Sequence, residues 1–170
     1  MTLHSIFAKQ PPAELPEEKN PSMNETILIV EDDEWIRDIA TLTLERAGYH
    51  VISSGTGEEA VGLAADPAQK RIHVLLADVV LPGISGSEAA GRIQKLWPNI
   101  RILFMSGYGD DVLRQFNTPV KQTGFLQKPF TPAGLVLKVK RLLDQPYVAA
   151  ARRELQKEQT SATLSNSRVA

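Results

Sequence analysis

Short, uninterrupted apolar runs alternate with longer stretches of helical periodicity over most of this chain. ILIV (27–30), HVLLA (73–77) and RILFM (101–105) are too continuous for strands with one wet face and fit strands buried on both. After the first run, Ile36, Ile39, Ala40, Leu44 and Ala47 recur at helical spacing, and Gly48 supplies a stop. Residues 50–52 make a second short strand. Thr56 with Glu59 three residues on is a capping box, with Ala60, Leu63 and Ala64 as the buried stripe behind it. Ser85 and Glu88 repeat the signature ahead of Ala89, Ile93 and Leu96, and Pro98 closes that helix. A short helix is predicted over 110–116 and a last strand over 124–127. Thr131 then caps a helix that has Pro132 at its first position and Leu135, Val139, Leu142 and Leu143 facing inward. Strand and helix in strict alternation predict a parallel sheet covered on both faces.

The flanks break this pattern. Residues 1–24 are rich in Pro, Glu and Lys and read as a flexible leader, with Met23 as an alternative start. Residues 25–145 carry the periodic pattern. Residues 146–170 form a tail in which Pro146 ends the preceding helix. Tyr147 or Val148, Ala151 and Leu155 then fall at helical spacing, so a sixth helix to about residue 158 is predicted. Its narrow apolar stripe fits a solvated helix or a contact with a partner or a second copy (a homodimer). The last ten residues read as disordered.

Composition narrows the function. The 170 residues suit one domain with tails, and 42% hydrophobic residues suffice for a core. A net charge of −1 gives no field that favours nucleic acid or an anionic membrane. There is no cysteine, which excludes a disulfide framework, a thiolate zinc site and a cysteine nucleophile. No apolar run approaches the roughly 18–20 residues of a membrane span, and the start lacks the layout of a secretory signal. The expectation is a cytoplasmic protein without direct nucleic-acid binding, since the tail is too short for an independent DNA-binding module.

In an open parallel sheet, chemistry gathers beyond the carboxyl ends of the strands. The first strand ends in Glu31, Asp32 and Asp33, the third in Asp78, the fourth in Ser106, and the fifth in Lys128 followed by Pro129. Taken singly these are ordinary residues. Asp33 reads as a helix N-cap, a lone Asp or Ser as a turn former, and a lone Lys as a solvated charge. Together they form a set with a purpose. Clustered carboxylates suit a hard divalent cation such as magnesium, which relieves their repulsion. A carboxylate can attack phosphorus while a hydroxyl and an ammonium hold phosphoryl oxygens. The set reads as an aspartyl-phosphate site.

These segments resemble the response-regulator receiver domains of two-component signalling over about residues 26–144. ILIVEDDEWIRD is similar to the acidic-pair segment, LLADVVLPGISG to the phosphoacceptor segment, ILFMSGY to the hydroxyl segment and FLQKPFTP to the lysine segment. The resemblance implies a doubly wound, flavodoxin-like α/β fold with five parallel strands in the order 2-1-3-4-5. It implies Asp78 as phosphoacceptor, with Mg2+ held by Glu31, Asp32, Asp78 and the backbone carbonyl of Val80. Ser106 and Lys128 would contact the phosphoryl group, Lys128 pairing with Asp78 in its absence, and Ser106 and Phe125 would be the switch residues. A cis Lys128–Pro129 bond is expected. Phe125 stands where Tyr is frequent, and the short, Pro119-containing stretch 109–123 suggests a reduced fourth helix. The wording of MSGY and FLQKPF is similar to receivers of hybrid histidine kinases and stand-alone receivers close to them.

The implied partner is a histidine kinase or a histidine phosphotransfer protein, and the implied output a phosphorylation-dependent protein contact. Such a domain catalyses its own phosphotransfer and slow dephosphorylation. Val80 and Tyr108 would flank the site and limit water, so a long-lived phosphoryl group is expected. Two alternatives remain. One is an interaction module that keeps the fold and signals without phosphorylation. The other is an enzyme of the haloacid-dehalogenase type, weakened because the second Asp such enzymes carry two residues on is Val80 here.

Overall fold

The structure, a computed structural model, describes residues 24–107 and 123–145. Five strands, β1 Thr26–Val30, β2 His50–Ser54, β3 Ile72–Asp78, β4 Arg101–Ser106 and β5 Thr123–Gln127, form one parallel sheet in the order β2-β1-β3-β4-β5. The helices are α1 Glu34–Arg46, α2 Gly57–Ala65, α3 Gly86–Leu96 and α4 Pro132–Asp144. The order explains the apolar runs. β1, β3 and β4 lie inside the sheet and are buried along nearly their whole length, whereas the edge strands β2 and β5 are mostly half-buried or exposed. Alternate residues supply two cores. Leu28, Val30, Leu75 and Phe104 pack with Ala60, Ala64 and Ile93 of α2 and α3 on one face. Ile27, Ile29, Leu76 and Met105 pack with Ala40 and Leu44 of α1 and Leu135, Val139 and Leu142 of α4 on the other.

The caps fall where the residue types demand. The side chains of Asp33, Thr56, Ser85 and Thr131 accept hydrogen bonds from the amides of Ile36, Glu59, Glu88 and Gly134. The reciprocal half of each capping box differs from expectation. Glu59 reaches back one residue further, to the amide of Gly55, and Glu88 pairs with Arg92 instead. At the end of α1 the amides of Gly48 and Tyr49 bond to the carbonyls of Glu45 and Leu44, and Gly48 takes φ +93° as that closure requires.

Two of the apolar residues at helical spacing do not face the core. Ile39 and Leu96 are each 48% exposed. On α1 the core position beside Ile39 is filled by Ala40, and on α3 Ala90 takes the inward position with Ala89 and Ile93. Helix α1 therefore carries a second apolar row, Trp35, Ile39 and Leu42, of which Trp35 is 81% exposed. The strands also run slightly longer than predicted, since Thr26, Ile72 and Ser54 add ladder positions to β1, β3 and β2. The leader, the helix over 110–116, Tyr108 and the sixth helix lie outside the described residues.

Candidate functional site

The carboxyl ends of β1, β3, β4 and β5 converge. Glu31 follows β1 and is 1% exposed, its amide donating to the Ser54 carbonyl of β2 at 3.2 Å. Asp32 beside it is exposed. Asp78 closes β3 and is buried, as is Ser106 at the end of β4. The Lys128 amide donates to the Ser106 carbonyl at 2.8 Å, which ties the β5 loop to β4, and the Lys128–Pro129 bond is cis.

The ammonium of Lys128 lies between two carboxylates. Nζ is 2.5 Å from Asp78 Oδ2 and 2.6 Å from Glu31 Oε2. Burial pushes the Glu31 carboxyl up to about 7, against the pull of Lys128 and with some help from the charge of Asp78. Burial disfavours the Lys128 ammonium, but the bonds and charges of Asp78 and Glu31 outweigh it and hold its pKa above the ordinary value. Lys128 thus contacts two carboxylates, and Asp32 adds a third acidic group beside them. Glu31, Asp32 and Asp78 can each offer an oxygen within 4.8 Å of the others. An all-oxygen set with surplus negative charge fits a hard cation such as Mg2+.

The other Asp78 oxygen, Oδ1, accepts from the Val80 amide at 2.9 Å, so both carboxylate oxygens are held in place. The Val80 side chain is 58% exposed at the mouth of the site. Phe125 is half-buried against the core on the α2–α3 side, in register with Phe104.

Several supports of the site have no simple sequence signature. A Cβ on Gly86 would lie 1.7 Å from the Asp78 carbonyl oxygen, so the start of α3 presses directly on the backbone that carries Asp78. Glu58 of α2 accepts from the Ile84 amide at 3.0 Å and borders Gly83, which has φ +77°, so α2 cradles the loop after Asp78. Arg37 donates to the Glu31 carbonyl at 2.7 Å and pins the acidic loop. A cation in the first turn of α1 opposes the helix dipole, and that oddity is the one local hint of its task. The Glu58 contact joins residues 26 apart and leaves no local trace.

An acidic pocket with a paired lysine, at the carboxyl rim of a 2-1-3-4-5 parallel sheet, defines a doubly wound α/β protein of the flavodoxin-like kind. Residues 27–140 match the response regulator receiver domain, and the chain belongs to that family. It is 32% identical to the response regulator receiver protein CpdR of Brucella abortus over 118 residues, 69% of this chain and 95% of that protein. It is 30% identical to the sensor kinase CckA of the same organism over 120 residues, 71% of this chain but 13% of the kinase. Among solved structures, the chemotaxis response regulator CheY4 of Vibrio cholerae superposes with a TM-score of 0.62 at 32% identity, covering 70% of this chain and 98% of that one. Receiver domains bind Mg2+ at an acidic pocket and interact with histidine kinases or phosphotransfer proteins. Among the described residues no helix is long and apolar enough to cross a membrane.

Proposed function

We propose that residues 25–145 are a signalling unit in which Asp78 accepts a phosphoryl group from the phosphohistidine of a histidine kinase or phosphotransfer protein. The observation that carries this reading is the Lys128 ammonium held between Asp78 and Glu31, with Asp32 alongside. In the transfer an Asp78 oxygen bonds to phosphorus as the P–N bond to the donor imidazole breaks, and the imidazole keeps that electron pair. Mg2+, held by Glu31, Asp32, Asp78 and the Val80 carbonyl, would supply electrostatic screening of the phosphoryl oxygens. The Val80 amide keeps Oδ1 oriented throughout. Lys128 exchanges its pairing with Asp78 Oδ2 for a phosphoryl oxygen, and Ser106 donates to another. The movement of Ser106 makes room for the Phe125 ring to turn inward, which shifts a two-state equilibrium toward a surface that binds the next protein.

The test is intact mass after incubation with Mg2+ and acetyl phosphate. The wild-type chain gains the mass of one phosphoryl group and Asp78→Asn gains none. A wild-type chain that stays unmodified, or an Asp78→Asn chain that is modified equally, overturns the assignment. Lys128→Ala tests the switch separately, since it should still accept the group while losing the change that phosphorylation causes at Phe125, read by NMR.

A further inference from the structure

Helices α1 and α4 leave an apolar groove between them. It has a volume of about 660 Å3, and its lining includes Ile39, Leu42, Val136 and Leu137, with Arg46 and Lys140 as its cations. Ile39, Leu42 and Leu137 are each 48% exposed, a row of large side chains left half in water. The groove is separate from the acidic pocket.

We propose that the chain's own C-terminal segment, residues 147–158, folds back as a helix and covers this groove. Three observations favour that occupant. The first is where the chain leaves the described fold. Helix α4 ends at Asp144, and Arg101 holds the Gln145 carbonyl at 3.0 Å. The phenol of Tyr49, just past the end of α1, has its pKa raised by burial and by the charges of Glu25 and Asp144. The exit of α4 therefore lies beside the end of α1, at one mouth of the groove, and Lys140 of the lining is about one turn away along α4.

The second is length. Pro146 stops α4 and allows a short reversal into an antiparallel helix pair. Twelve helical residues span ~18 Å, and the lining of the groove on α4 runs from Pro132 to Lys140, so the segment is long enough to cover it.

The third is pattern. On a helix, Tyr147, Ala151 and Leu155 share one stripe with Val148 at its side, while Glu154 borders it and Glu158 continues it. The small Ala151 lets the helix approach the apolar lining closely. A tethered segment also competes at high effective concentration with any second copy or partner helix suited to the same face.

The sequence has no cysteine, so the full chain carrying Arg153→Cys, on the side of the segment away from its apolar stripe, accepts a single spin label. The expected result is paramagnetic broadening of the Ile39, Leu42 and Leu137 methyl signals within the labelled chain. That broadening should be lost in Arg153→Cys/Leu155→Asp, with the core signals of Leu28 and Leu75 unchanged as a check on folding. Broadening seen only when labelled chains are mixed with unlabelled isotope-enriched chains means a second copy fills the groove and overturns the proposal. Absence of broadening at these three residues overturns it as well.

Discussion

Asp32 is the acidic residue of the site that is open to water and outside the Lys128 contacts. In metal-free buffer it adds negative charge to a pocket already in surplus. Asp32→Asn should therefore leave the apoprotein as stable or stabilise it by ~0.5 kcal/mol, while abolishing the gain in melting temperature that Mg2+ produces. Thermal melts in chelator and in Mg2+ check both halves, and a clear loss of apoprotein stability would count against the charge argument. Gly86 makes the opposite case. Its missing Cβ is space that the Asp78 backbone occupies, and backbone cannot give way as a flexible side chain can. Gly86→Ala should cost at least ~2 kcal/mol in denaturant unfolding and slow phosphorylation of the folded fraction. At this scale the sequence was legible where chemistry sits at a strand end, as at Glu31, Asp78 and Lys128. It was silent where a residue acts through backbone, as Gly86 and the Val80 amide do.

Among the elements, β3 holds an irregularity with a thermodynamic signature. The register between β1 and β3 shifts between Thr26 and Ile27, leaving His73 as the extra residue of β3. The His73 ring compensates by accepting the Thr26 amide on Nδ1 at 3.0 Å. Burial, then the charge of Arg71, lower the His73 pKa below the usual 6.5, with Glu25 opposing and Arg101 adding a little. The unfolded chain thus takes up this proton before the folded one does. The contribution of His73 is complete above 6.5 and is lost as pH falls from there toward the lowered folded value, with a slope of at most about 1.4 kcal/mol per pH unit. His73→Asn keeps an acceptor and removes the titration, so its stability should decline less between neutral and mildly acid pH. Parallel wild-type and variant curves would refute this. The elements themselves were legible because buried parallel strands write continuous apolar runs and Ser, Thr and Asp mark helix starts. The inner face of α1 was less so, because Trp35, Ile39 and Leu42 form a second apolar row that periodicity cannot tell from the core row.

At the scale of the whole molecule, the pocket joins four strand ends, and a cation bound by Glu31, Asp32 and Asp78 would link those of β1 and β3 in the folded state alone. Mg2+ at 100 times its dissociation constant should stabilise the chain by about 2.7 kcal/mol, a shift of several degrees in the melting midpoint, and Ca2+ or Na+ at equal ionic strength separates binding from screening. No midpoint change with saturating Mg2+ would remove the metal from the proposal. The two tryptophans offer a way to watch such events. The Trp97 indole donates to the Ala64 carbonyl at 2.9 Å and is shielded between α2 and α3, whereas Trp35 stands in solvent three residues beyond Asp32. Iodide should quench the emission of Trp35 in the native protein, and the red shift on unfolding should come from Trp97. A Trp35→Phe chain would then report global unfolding and a Trp97→Phe chain the surroundings of the acidic loop, two optical channels from one small domain without an added dye.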